Sequence, residues 1–179
     1  SQSNDDCQTC HADTELKSDS GRSLFVDADR FTGSSHGGAG VSCVDCHADL
    51  AKTSDFPHAS PLKPVDCSGC HEASLQEFRE SVHFAANQRS EGQPPVACQD
   101  CHGTHDIRPK DDFESKVFPL NLPAVCEACH LGRVKTPKGE SFIRGYRESA
   151  HFKALERSGL TMSANCSNCH GGHAIKAVH

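Results

Sequence analysis

At 179 residues the chain is long enough for one domain, yet only 35% of it is hydrophobic, with nine Phe, one Tyr, one Met and no Trp. So little apolar side chain does not readily offset the conformational entropy lost on folding, which argues against an ordinary side-chain core. A formal charge of −6 argues against nucleic acid as a partner, while twelve cysteines and thirteen histidines argue against disorder.

The cysteines indicate what fills the interior. In chain order they pair as Cys7 and Cys10, Cys43 and Cys46, Cys67 and Cys70, Cys98 and Cys101, Cys126 and Cys129, and Cys166 and Cys169. Each pair is followed directly by a histidine: His11, His47, His71, His102, His130 and His170. Cys-x-x-Cys-His is the attachment signature of c-type haem. Two thiols one helical turn apart add to the two vinyl groups, and the adjacent histidine supplies the fifth iron ligand. Structural zinc would need the pairs to assemble in fours, with no reason for a histidine after each. A disulfide framework gives no reason for those histidines either.

Six covalently bound haem c groups are therefore expected, and they serve as the core. The expected fold class is mostly coil with short α-helices wrapped around a covalently attached haem stack, with little or no β-sheet. Covalent haem attachment takes place beyond the cytoplasmic membrane, so the chain is expected to be exported, its signal peptide already absent from this numbering. No apolar stretch approaches the roughly 20 residues of a membrane span.

Read along the chain, the motifs sit in an imperfect repeat. Phe31, Phe78 and Tyr146 each stand five residues before a histidine in an [FY]-x-x-S-x-H pattern, the histidines being His36, His83 and His151. One hexahaem domain, 1–179, is expected from a half unit at 1–24, unit A at 25–73, unit B at 74–135 and a truncated unit C at 136–179. Unit A holds His36, the motif at 43–47, His58 and the motif at 67–71. Unit B holds His83, the motif at 98–102, His105 and the motif at 126–130. Unit C holds His151, the motif at 166–170 and His173. The motif at 7–11 has no histidine before it and takes the place of a second haem whose first half is missing.

Local signals place helices on this frame. Ser74-Leu-Gln-Glu77 has capping-box spacing, and Leu75, Phe78, Val82 and Ala86 follow at helical intervals, placing His83 on a short helix. His151 falls likewise on a helix over 142–158, with Gly159 as its C-terminal cap. Each attachment motif should occupy about one helical turn. Pro57, Pro61, Pro64, Pro94, Pro95, Pro109, Pro119 and Pro123 mark the connections as loops.

Six irons take six proximal histidines and leave seven: His36, His58, His83, His105, His151, His173 and His179. The repeat places the first six at equivalent positions as distal ligands and leaves His179 as a surface residue; Met162 is read as packing. Two imidazoles per iron leave no position for a substrate, so the expected function is electron conduction and not catalysis.

The pattern S-x-H…CxxCHGxH…CxxCH, through Ser81, His83, Cys98 to His105, and again through Ser149, His151, Cys166 to His173, resembles multihaem c-type cytochromes, and especially the extracellular cytochrome filaments, or nanowires, of metal-respiring microbes. The first unit departs from it, with CVDCHAD and the distant His58. The resemblance implies identical subunits joined head-to-tail for extracellular electron transfer, with a unit C histidine ligating the Cys7–Cys10 haem of the next chain. Redox proteins or extracellular acceptors would exchange the electrons. A periplasmic shuttle that completes its first haem within one chain, for instance through His36, is the alternative, as is one module of a longer cytochrome. An enzyme would need an open or unusually ligated iron, and no Cys-x-x-Cys-Lys occurs.

Overall fold

The computed structural model describes residues 2–89, 95–133 and 139–177. Pro94 and His179, singled out above, lie outside them. The chain divides into two compact units: Ser1–Cys70 with Thr104–Ile107, and His71–Gly103 with Arg108–His179.

The first unit holds helices α1 (Asn4–His11), α2 (Ala28–Thr32), α3 (Ser35–Gly38) and α4 (Cys43–Cys46), with 3₁₀ turns at Ala48–Leu50 and Cys67–Gly69. The second holds α5 (Glu72–Arg79), α6 (Val82–Arg89), α7 (Cys98–His102), α8 (Leu122–Glu127), α9 (Gly139–Glu148), α10 (Ala150–Ser158) and α11 (Cys166–His170). A π-helical turn over Ala128–Arg133 continues from α8. Among the described residues the β-structure is one isolated bridge, Lys17 to Ser23. The fold is thus short helices joined by turns, as expected.

The expected lack of a side-chain core is equally plain. Among the described residues Leu155 is the one large hydrophobic side chain that is fully buried, at 1% exposure. Met162 is 89% exposed, which corrects the reading of it as a packing residue. It sits in the turn after α10, where no element covers it.

Both helical stretches read around the S-x-H histidines, the periodic run from Leu75 to Ala86 and the helix over 142–158, are split in two by a serine. Leu75 to Ala86 does not run as one helix, and it does not start at Ser74: α5 begins at Glu72 after His71, and α6 begins after Ser81. Ser81, 2% exposed, accepts the Phe84 N–H at 3.0 Å. Over 142–158, Ser149 ends α9 and caps α10, accepting the Phe152 N–H at 3.2 Å. Ser34 caps α3 in the same way, accepting the Gly37 N–H at 3.0 Å. A serine oxygen that satisfies a free N–H favours a helix start over helix continuation. The serine of S-x-H therefore marks a helix start, and its histidine stands in the first turn of a new helix. Gly159 ends α10 in the left-handed conformation, φ 62°, as expected.

The aromatic residue of the motif packs against the residue after the histidine. Phe78 meets Phe84 edge-on at 5.9 Å and Tyr146 meets Phe152 at 5.4 Å. In the first copy Gly37 takes that position, because a Cβ there would overlap the Phe31 carbonyl. Since the Ser81 hydroxyl is buried and bonded, Ser81→Ala is expected to destabilise the holoprotein by about 1 kcal/mol, read as a lower urea midpoint at unchanged slope.

The turns are also tied to distant loops. Ser35 N–H donates to the Ile107 carbonyl at 2.8 Å, and Val82 N–H donates to the Ile175 carbonyl at 2.9 Å. Arg30 pairs with Asp106 at 3.1 Å beside the first of these bonds.

Candidate haem centres

Three attachment motifs, those at 43–47, 98–102 and 166–170, are held in a single turn by their own neighbours. Ser42 N–H donates to Asp45 Oδ2 at 2.7 Å, Ala97 N–H to Asp100 Oδ2 at 2.7 Å, and Asn165 N–H to Asn168 Oδ1 at 2.9 Å. The bonded side chain is in each case the second x of Cys-x-x-Cys, reaching back to the residue before the first cysteine. This reciprocal cap keeps the two thiols one turn apart. The first motif starts from Ser3 and Asp6, with Ser3 N–H donating to Asp6 Oδ2 at 2.8 Å. The sequence reading missed these residues, although Asp or Asn recurs at that position in three motifs, and that recurrence was the available signal.

The thiols of successive motifs adjoin. Burial, with the Cys7 thiol beside it, pushes the Cys43 thiol up to about 11. Cys126 and Cys166 share a hydrogen bond that raises the first and lowers the second. Burial raises Cys101, with Cys129 contributing, and raises Cys46, with Cys70 contributing. Among the described residues no cluster of three or more His, Cys, Asp or Glu side chains forms a metal site.

The histidines are arranged in facing pairs. His11 faces His58 with ring centroids 6.1 Å apart and planes within 12°. His47 faces His105 at 6.3 Å, His102 faces His173 at 5.9 Å, and His130 faces His83 at 6.0 Å. Each pair joins one attachment histidine to one histidine of the distal set. An imidazole nitrogen about 2.0 Å from a metal, and roughly 1.1 Å from its own ring centre, puts two trans rings about 6.2 Å apart. The pairs therefore fit an iron between them without movement of the chain.

The ring electronics suit the same role. Burial pushes His47, His83, His102 and His105 below the ordinary value of 6.5, keeping them in the neutral form that ligates metal. His11 donates from Nδ1 to the Leu24 carbonyl at 2.7 Å, His58 to Ala59 at 3.0 Å, and His170 to Lys176 at 2.9 Å. His173 Nδ1 lies 3.2 Å from Glu77 Oε2. A bonded Nδ1–H leaves Nε2 as the free lone pair and orients the ring. Glu77 gives the one carboxylate contact among these and was not anticipated.

The pairing follows a rule. His105 follows the motif at 98–102 but faces the first motif of unit A; His173 follows the motif at 166–170 but faces the first motif of unit B. His58 of unit A likewise faces the motif that precedes its unit. The histidine after a motif thus reaches back one repeat, and the Ser35–Ile107 and Val82–Ile175 bonds hold it there. His83, by contrast, faces the second motif of its own unit.

The motif at 7–11, read from the repeat as a second motif of a half unit, places its His11 ring 6.1 Å from His58 of the same chain, whereas the resemblance gave it a unit C histidine of the next chain and the shuttle reading gave it His36. His36 opens α3 and His71 precedes α5; each has interactions of its own. His151 is exposed in the first turn of α10. Among the described residues neither it nor His170 faces another histidine ring.

Paired thiols beside paired imidazoles define a multihaem c-type cytochrome. The family model described as Cytochrome c3 matches residues 35–131, more than half of the chain, and the chain belongs to that family of electron-transfer proteins. It is also similar to the high-molecular-weight cytochrome c of Nitratidesulfovibrio vulgaris, at 27% identity over 150 residues and 75% of this chain. The match takes in 26% of that protein, so the chain spans about a quarter of its length. No solved structure matches the chain. No helix among the described residues is long and apolar enough to cross a membrane.

Proposed function

We propose that the chain carries six haem c groups, one on each Cys-x-x-Cys-His, and passes electrons between irons ligated by two histidines. The observation that carries this reading is the set of four facing pairs at 5.9–6.3 Å. In it His58, His105, His173 and His83 are the distal ligands of the haems held by His11, His47, His102 and His130. His36 keeps the ligand role its S-x-H position gives it, and His151 is assigned to no iron of this chain. When bound, the haem supplies the one-electron couple. The protein's part is to pin the porphyrin edges near one another through adjoining thiols, to fix imidazole orientation through Nδ1, and to close both axial faces against substrate. A carrier with closed irons is not an enzyme.

Export follows from covalent haem, and the periplasm is the proposed location. Filament assembly and an extracellular acceptor, implied by the resemblance to nanowires, have less support: His58 removes the need for a neighbour's ligand at the first haem. Mass spectrometry of the holoprotein checks the haem number, with six thioether-linked haems per chain expected. Light scattering on the same sample separates a discrete carrier from a head-to-tail polymer. Fewer than six haems would overturn the reading.

A further inference from the structure

The two turns that receive a Cys-His-Gly-x-His loop differ at one position. In both, a backbone donor holds an isoleucine carbonyl two residues beyond the loop histidine. Ser35 N–H holds Ile107 at 2.8 Å, and Val82 N–H holds Ile175 at 2.9 Å. In both, the loop histidine faces an attachment histidine, His105 on His47 and His173 on His102. The residue just before the motif aromatic, however, is Arg30 in the first turn and Glu77 in the second.

The loops differ to match. Directly after its histidine the first loop has Asp106, where the second has Ala174. Arg30 reaches Asp106 at 3.1 Å, so these two charges offset each other beside His105. Glu77 reaches the histidine ring itself, its Oε2 lying 3.2 Å from His173 Nδ1. An ionised carboxylate only accepts, so Nδ1 carries the proton and Nε2 the lone pair. The Nδ1 bonds of His11, His58 and His170 run instead to neutral backbone carbonyls. A charge-assisted bond is the stronger kind, and it makes the ring a better electron donor to a metal.

We propose that Glu77 is a positioning residue that lowers the reduction potential of the haem held by Cys98 and Cys101, and so separates it from the equivalent haem on Cys43 and Cys46. The inference rests on the bis-histidine reading above. The carboxylate raises electron density on the His173 imidazole and adds a negative charge behind it. Both effects favour ferric over ferrous iron, because the ferric state carries the extra positive charge. Arg30 and Asp106 supply no net charge at the matching place. Electrons in the carrier therefore settle on the Cys43–Cys46 haem before the Cys98–Cys101 haem. Each reduction is the gain of one electron from a redox partner; both axial bonds remain and no proton moves.

The test follows the ferric low-spin signals of the full 179-residue holoprotein by electron paramagnetic resonance during a potentiometric titration at one pH. His173→Ala and His105→Ala should each remove one low-spin signal, and so mark the two haems. In the wild type the His173-dependent signal should vanish at the lower potential. Glu77→Gln keeps an acceptor for the Nδ1 proton and removes only the charge. It should leave every haem that is low-spin in the wild type low-spin and raise the His173-dependent potential, while the His105-dependent one stays. The His173 and Glu77 side chains are 42% and 63% exposed, so water screens the charge. The expected shift is therefore roughly threefold in the oxidised-to-reduced ratio, about 28 mV at about 59 mV per tenfold for one electron. An unmoved His173-dependent potential in Glu77→Gln would overturn the proposal alone, as would the reverse order of the two haems in the wild type. A His173→Ala protein that keeps every low-spin signal would overturn it together with the ligand assignment of His173.

Discussion

His58→Ala is expected to turn the haem on Cys7 and Cys10 from low-spin to five-coordinate high-spin and leave the other three paired haems unchanged. The new open position should bind carbon monoxide, which the same iron in the wild type should refuse. The expectation follows from the 6.1 Å, near-parallel approach of His58 to His11. His47 and His105, whose rings lie close enough to influence this pair, already face each other. The loop carrying His58 is held by bonds that do not use its imidazole, Lys63 N–H to Asp49 Oδ2 at 2.9 Å and the Gln2 amide to the Thr53 carbonyl, while the ring itself bonds through Nδ1 to the adjacent Ala59 carbonyl. Its loss should therefore not unfold the remainder. The experiment also separates ligation within one chain from ligation between chains. A ligand in the same chain gives a spectrum independent of protein concentration, whereas a ligand from a neighbour is lost by mass action on dilution. A wild-type high-spin signal that grows on dilution at this haem, or a His58→Ala spectrum identical to wild type, would refute the assignment.

Without haem the chain should not fold at all. Replacing the twelve attachment cysteines with serine, or producing the chain where haem is not attached, is expected to give a disordered circular dichroism spectrum and no cooperative urea transition. Ordering one residue costs about 1–2 kcal/mol, whereas fully burying a leucine returns about 1.5–3 kcal/mol. Leu155 alone among the described large hydrophobic side chains is buried to 1% exposure, while Phe113 and Phe142 are 75% and 63% exposed. Caps and turns of the kind made by Ser34, Ser81 and Ser149 contribute about 1 kcal/mol each and cannot close that gap. The porphyrins must supply the missing apolar surface, and the iron–histidine bonds must supply the long-range links. A haem-free chain with a sharp cooperative transition would refute this account and require a core of another kind.

The attachment sites were legible because the chemistry of thioether formation imposes adjacency in sequence. Two thiols must sit one turn apart with the ligand beside them, so Cys7 to His11 and its five counterparts can be read without a fold. The S-x-H motif was legible for a related reason, since a serine cap acts over three residues. Its consequence was misread: hydrophobic periodicity runs through Ser81 and Ser149, but a buried hydroxyl that satisfies a free N–H starts a new helix and the periodicity does not show it. The caps from Asp45, Asp100 and Asn168 act over the same short range, so the second x position of a Cys-x-x-Cys motif carries structural information of its own.

By itself the sequence determined where the six Cys-x-x-Cys-His motifs stand, that apolar side chains are too few for an ordinary core, and that the repeat supplies enough histidines for a second one beside each motif. Only the tertiary structure decided which histidine faces which. His58 faces His11 across 47 positions of numbering that pass another attachment motif, and His173 reaches back past two motifs to His102. Proximity along the chain favoured pairing within a unit. The physical reason is that the backbone bonds from Ser35 to Ile107 and from Val82 to Ile175, each between residues far apart in sequence, carry His105 and His173 to the attachment histidine one repeat earlier.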